Sequence, residues 1–226
     1  MDFNRLKVLA EEIENSSPED IDIRPYIENT ILRPEATPKE VEDFCKKSLD
    51  YGFYGVCVNP SFVPLAKGIV GNSLKVVSVV GFPLGATTTY AKVKEGERCV
   101  KDGADELDMV IHIGFLKGGE YKRVEEDIRE VVSLGVPVKV IIETALLTDD
   151  EKVIACKISE NAGAKFVKTS TGFSKGGATI YDVLIMRESC FLGIKASGGI
   201  RDKTFALKLI KAGATRIGTS RGFDIV

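Results

Sequence analysis

Short β-branched runs alternate along this chain with amphipathic stretches of about ten to fifteen residues, the pattern of βα units built around a parallel sheet. The strand candidates are Ile27–Ile31, Gly55–Val58, Lys75–Val80, Glu106–His112, Val138–Glu143, Phe166–Ser170, Gly193–Ser197 and Arg216–Gly218. The helices between them have readable starts. Thr37-Pro38-Lys39-Glu40 and Thr148-Asp149-Asp150-Glu151 have the form of capping boxes, and Asp202 or Lys203 opens a third helix. Three helices end alike, in Asp102-Gly103-Ala104, Ala162-Gly163-Ala164 and Ala212-Gly213-Ala214, each followed closely by a strand. Eight such units without a linker favour one (β/α)8 TIM barrel over residues 1–226, a length near the lower limit for that fold. An extra N-terminal helix over residues 3–14 is expected to cover the barrel bottom, and Arg221 to Val226 is too short for a full eighth helix.

Composition excludes several classes of function. A net charge of -2, from 31 Lys and Arg against 33 Asp and Glu, supplies no basic field for nucleic acid or a membrane surface. No apolar run approaches the ~18 residues of a membrane span, and Met1 to Lys7 lacks the apolar core of a signal peptide. Five cysteines without Cys-x-x-Cys spacing read as reduced thiols in a cytoplasmic protein, not as disulfides or a zinc site. A single histidine, His112, leaves little from which to build a metal site or a Ser-His-Asp triad, and no metal is expected. It reads as a structural histidine, and Cys57 as a packing cysteine.

The chemistry is carried by charged residues inside the strand candidates. Alternation along a barrel strand puts Lys168 on one face with Ser170, and Lys195 with Ser197. The same rule groups Lys139 with Ile141 and Glu143, and Asp108 with Val110 and His112. Adjacent strands thus offer Asp108, Lys139, Glu143, Lys168 and Lys195 to one centre. Each alone could be half of a buried ion pair, but barrel active sites form where these strand ends meet. An ammonium held among apolar residues beside a second ammonium has a lowered pKa, and a neutral lysine is a nucleophile toward carbonyl compounds.

Glycine-rich turns follow the last three strands: Thr171-Gly172-Phe173, Ser197-Gly198-Gly199-Ile200-Arg201 and Gly218-Thr219-Ser220-Arg221-Gly222. Backbone N–H groups in such turns, with hydroxyls and Arg201, suit a phosphate, and loops after the seventh and eighth barrel strands commonly hold one.

These segments resemble the deoxyribose-phosphate aldolase family of class I aldolases, from about residue 26 to residue 222. The resemblance rests on Thr30 to Thr37, Val56-Cys57-Val58-Asn59-Pro60, Val79 to Gly85, Glu106 to Val110, Val138 to Thr144, Phe166 to Phe173 and Lys195 to Arg201. It implies a (β/α)8 barrel that reversibly cleaves 2-deoxyribose 5-phosphate to acetaldehyde and glyceraldehyde 3-phosphate without metal or organic cofactor. Lys168 would form the Schiff base, Lys195 would depress its pKa, and Asp108 would shuttle protons through a water. Lys139 and Glu143 would supply a supporting polar shell, and Gly172, Gly198, Gly199, Gly218, Thr219 and Ser220 would hold the phosphate, with Thr171, Ser197 and Arg201 beside them. A homodimer or homotetramer is implied, with sugar phosphates and aldehydes as its small-molecule partners.

Two departures from the family pattern stand out. Where members carry Asp and then often His at the end of the first strand, this chain has Glu28 and Asn29. Asn29 is expected to bond a sugar hydroxyl and Glu28 to keep a carboxylate on a longer arm, which bears on acceptor preference and turnover. Many members also carry a C-terminal tyrosine that assists proton transfer. None follows Tyr181 here, which leaves that role vacant, or to water or a neighbouring subunit. The rival readings are a sugar-phosphate isomerase using Asp108 or Glu143 as a base, and a non-catalytic sugar-phosphate-binding paralogue.

Overall fold

A computed structural model describes residues 1–226. Eight parallel strands close into a barrel in sequence order: β1 (Ile27–Ile31), β2 (Gly55–Val58), β3 (Lys75–Val80), β4 (Glu106–Val110), β5 (Val138–Ile141), β6 (Phe166–Lys168), β7 (Gly193–Ser197) and β8 (Arg216–Thr219). Around them run α1 (Phe3–Asn15), α2 (Pro38–Tyr51), α3 (Val63–Val70), α4 (Thr89–Lys101), α5 (Ile113–Lys117), α6 (Tyr121–Val132), α7 (Asp149–Asn161), α8 (Ile180–Ser189) and α9 (Lys203–Ala212). The architecture is the barrel expected from the βα alternation.

Local chemistry explains the boundaries. Thr37 and Thr148 accept from the N–H groups of Glu40 and Glu151, whose carboxylates return the bond, so both capping boxes form. Asp202 caps α9 through Phe205 N–H. Gly103, Gly163 and Gly213 all have positive φ, as their places at the helix ends require. Three strands stop earlier than their composition suggests. β4 ends at Val110 because the His112 imidazole caps α5, accepting from Phe115 N–H at 3.2 Å. β5 ends at Ile141 because Glu143 turns left-handed, with φ 55°. β6 ends at Lys168, before the turn that carries Thr171 and Gly172.

The main apolar core lies between strands and helices, where Val56, Val76, Leu107, Val140, Val167, Ala196 and Ile217 point outward from the barrel. Helix α1 departs from expectation. It packs chiefly along α8 and α9, not beneath the barrel, burying Leu6, Ala10 and Ile13 at one-turn spacing. The reason is visible in α8, whose Ile180, Val183, Leu184, Ile185 and Met186 are buried all round, so its outer side needs a cover. After β8 comes a 3-10 turn at Gly222–Asp224, whose Phe223 ring packs edge-on against Tyr51 and Phe44 at 5.1 and 5.6 Å. No helix is long and apolar enough to cross a membrane.

Candidate active site

Inward-facing side chains fill the barrel with charge. Lys168 on β6 and Lys195 on β7 are register partners, and each Nζ donates to Asp108 Oδ2 at 2.7 Å. The two nitrogens are therefore no further apart than twice that distance. Lys139, the register partner of Asp108, donates to Asp108 Oδ1 at 3.2 Å and also pairs with Glu106 and, at 3.4 Å, with Glu28. Lys195 also pairs with Glu28. Beneath them the Tyr54 hydroxyl donates to Glu106, and the Arg216 guanidinium stacks 3.7 Å above the Tyr54 ring, with Nε 4.0 Å from Glu28.

Burial by itself disfavours every one of these charges, so the pairing decides their state. Burial would raise the Asp108 carboxyl, but Lys139, Lys168 and Lys195 outweigh it and hold it well below the usual carboxylate range. Burial would lower Lys139 and Lys195, but the surrounding carboxylates raise both above the ordinary lysine value. Four cationic groups (Lys139, Lys168, Lys195 and Arg216) meet three carboxylates (Glu28, Glu106 and Asp108). The cations outnumber the carboxylates by one. Lys168 is the amine with a single carboxylate contact, and the only one of the three lysines that lines the open cleft.

That cleft, about 680 Å³, opens at the C-terminal strand ends, with Lys168 at its floor. Its walls include Thr171, Gly172 and Phe173 after β6; Ser197, Gly198, Gly199 and Arg201 in and after β7; and Gly218, Thr219 and Ser220 in and after β8. The β6 and β7 loops touch through backbone: Ala178 N–H donates to Gly198 carbonyl at 3.0 Å. Phe173 meets Phe82 across the mouth, edge to face at 5.3 Å. An apolar corner of Leu32, Cys57, Val77 and Val79 adjoins Phe82. Burial pushes the Cys57 thiol up to about 11, which suits a packing cysteine. His112 is spent on the α5 cap and on stacking with Phe115 at 3.6 Å. No three His, Cys, Asp or Glu side chains are grouped so as to hold a metal ion.

Four expected site residues take specific places: Asn29 and Thr219 differ from the substrate contacts expected of them, while Lys139 and Glu143 stand behind the cleft as a supporting shell would. Asn29 points away from the cleft: strand alternation sends Glu28 inward and Asn29 outward, where its amide donates to Ser48 at 3.0 Å. Lys139 is fully buried below Asp108 and does not line the cleft. Glu143 sits behind the β6 loop, bonded to Thr171 N–H at 3.2 Å and to the Thr171 hydroxyl. Thr219 lines the cleft, but its hydroxyl is engaged by Ile200 carbonyl and Arg221 N–H, so it braces the loop.

Glu106, Tyr54 and Arg216 belong to the site without having been expected there from the sequence. Glu106 was legible, since it lies two residues before Asp108 on the same strand face. Glu28 does more than keep a carboxylate on a longer arm: it is the second carboxylate on Lys195.

The comparisons with known proteins bear on the family and the fold. A family model described as DeoC/LacD family aldolase matches residues 25–225. The chain is 53% identical over 215 residues to the deoxyribose-phosphate aldolase of Thermococcus gammatolerans, covering 91% of this chain and 96% of that one. It is 52% identical over 209 residues to the deoxyribose-phosphate aldolase of Streptococcus gordonii, covering 90% and 95%. Among solved structures, an aldolase designated QR15 matches with a TM-score of 0.89 at 45% identity, covering 91% of this chain and 95% of that one. The deoxyribose phosphate aldolase of Aeropyrum pernix, described as a unique tetrameric structure, matches with a TM-score of 0.83 at 34% identity, covering 90% and 89%. A family model spanning all eight strands, and relatives matched over nine-tenths of their sequence, establish that the chain belongs to the DeoC/LacD aldolase family.

Proposed function

We propose that this protein is a class I deoxyribose-phosphate aldolase with Lys168 as its nucleophile. The observation that carries the reading is the position of Lys168 Nζ, at the cleft floor and bonded to a carboxylate that it shares with Lys195. In the cleavage direction the neutral amine adds to C1 of open-chain 2-deoxyribose 5-phosphate, and the carbinolamine loses water to give an iminium. A base takes the C3 hydroxyl proton, the C2–C3 bonding pair moves into the iminium, and glyceraldehyde 3-phosphate leaves. The remaining enamine is protonated at C2, and water hydrolyses the resulting iminium to acetaldehyde and free Lys168.

Asp108 is ionised at neutral pH and fits the proton acceptor, acting through an intervening water because its carboxylate lies behind Lys168. Lys195, whose carboxylate partners raise its pKa above the ordinary lysine value, remains an ammonium beside Lys168. Backbone N–H groups at Gly172, Gly198 and Gly199, with Ser220 and Arg201, line the outer cleft and suit the phosphate. The protein works as a homo-oligomer, a reading supported by the tetrameric Aeropyrum pernix relative. Five cysteines free of disulfides are in keeping with a cytoplasmic setting. The test is a coupled assay of aldehyde release from 2-deoxyribose 5-phosphate. Wild type turns over and Lys168→Leu does not; equal rates in the two exclude Lys168 as nucleophile.

A further inference from the structure

Glu143 is the only non-glycine residue in the chain with positive φ, at 55°. A glycine would adopt that backbone without a Cβ clash. The side chain carries a second cost, since its Oε1 is buried with no hydrogen-bond partner in the protein. The residue is 2% exposed and does not line the cleft. Two unfavourable features kept at the edge of an active site mark a residue held there for something other than packing.

What the strain secures is visible in the bonds. Glu143 Oε2 accepts from both Thr171 N–H and the Thr171 hydroxyl. The same hydroxyl oxygen accepts from Phe173 N–H at 3.1 Å. Glu143 thus clamps both ends of the turn containing Gly172, whose φ is 82° and whose backbone forms one wall of the outer cleft. The opposite wall is Gly198, and it is close: a Cβ built on Gly172 would lie 4.0 Å from Gly198 Cα.

We infer that Glu143 is a positioning residue for the phosphate end of the substrate, acting through Thr171 on the Gly172 side of the cradle. The inference rests on the aldolase reading for its substrate, but not for the anion that the cradle binds. It assigns Glu143 no contact with the reacting carbons and no proton to move.

The informative variant is Glu143→Gly, which removes the carboxylate while suiting the left-handed backbone, with Glu143→Gln as the isosteric control and Thr171→Val as the second link. Inorganic phosphate is the probe by calorimetry, and kcat/KM is compared on 2-deoxyribose 5-phosphate and on 2-deoxyribose. Loss of a charged hydrogen-bond clamp weakens phosphate binding about tenfold in Glu143→Gly and lowers the phosphorylated-to-unphosphorylated kcat/KM ratio by a similar factor. Thr171→Val shifts both readouts in the same direction, and Glu143→Gln shifts them less than Glu143→Gly. Phosphate binding that is equal in wild type and Glu143→Gly, or absent from both, overturns the inference, as does an equal loss on the two sugars. A wild type that binds phosphate more tightly than Glu143→Gly yet releases no aldehyde refutes the aldolase reading and leaves the positioning role standing.

Discussion

Lys168 and Lys195 donate from neighbouring strands to the same oxygen of one carboxylate, Asp108 Oδ2, at 2.7 Å each. The arrangement holds two amines together in a space sealed from solvent below and open only above Lys168. Its consequence is a division of labour. Lys195, with Glu28 as a second carboxylate, keeps its charge, while Lys168 has one shared partner and the cleft.

Lys195→Leu removes the second ammonium from Asp108 Oδ2, so the carboxylate oxygen that holds Lys168 at the cleft floor loses one of its two anchors and Lys168 is displaced. Turnover is expected to fall by roughly two orders of magnitude, in the range for a misplaced catalytic group. Steady-state kcat on 2-deoxyribose 5-phosphate checks it, and a rate equal to wild type contradicts it.

Glu28 is fully buried between Lys195 and Lys139. Glu28→Ala leaves those ammonium groups partly uncompensated and should cost on the order of 3 kcal/mol. A urea titration reads the loss as a lower midpoint with unchanged slope. Glu28→Asp, one methylene shorter, should fall between the two.

Stability should depend on pH at both extremes and be level between them. Asp108 has its folded pKa held below the ordinary 3.8, so its contribution is present above that value and is lost as pH falls through the lower folded one. Lys139 and Lys195 are raised above 10.5, so theirs is fully present below that value and is lost as pH rises through the higher folded ones. Urea midpoints across the pH range check this, and Asp108→Asn should flatten the acid limb.

Gly218 makes room for the cluster. A Cβ there would lie 2.8 Å from Lys195 Cε and 3.0 Å from Ser197 Cβ. Gly218→Ala therefore pushes Lys195 off Asp108, at a cost of about 1–3 kcal/mol for overpacking. Activity should fall by about one to two orders of magnitude, as expected for a misplaced catalytic group. Gly199→Ala, where nothing lies within 4 Å, tests backbone conformation alone, since φ there is 77°.

The barrel was legible because each unit announces itself: Thr37 and Thr148 open helices, and Gly103, Gly163 and Gly213 close them. The inward sets were legible too, because strand periodicity places Lys168 with Asp108 and Lys195 once the barrel is assumed. Asn29 and Glu28 escaped for want of a register for β1, since one residue exchanges which of the two faces the interior. Glu143 escaped because its left-handed backbone breaks the alternation on which its placement depended. The path of α1 was hidden as well. An amphipathic helix shows that it has a buried face but not which neighbour buries it, and the all-round burial of α8 becomes apparent only in three dimensions.

The proposed mechanism makes Lys168 alone the covalent link to substrate. Borohydride reduction in the presence of acetaldehyde, followed by peptide mass mapping, tests it directly. A reduced adduct is expected on the peptide bearing Lys168, and none anywhere in Lys168→Leu. An adduct on Lys195, on Lys139 or on any peptide lacking Lys168 contradicts it.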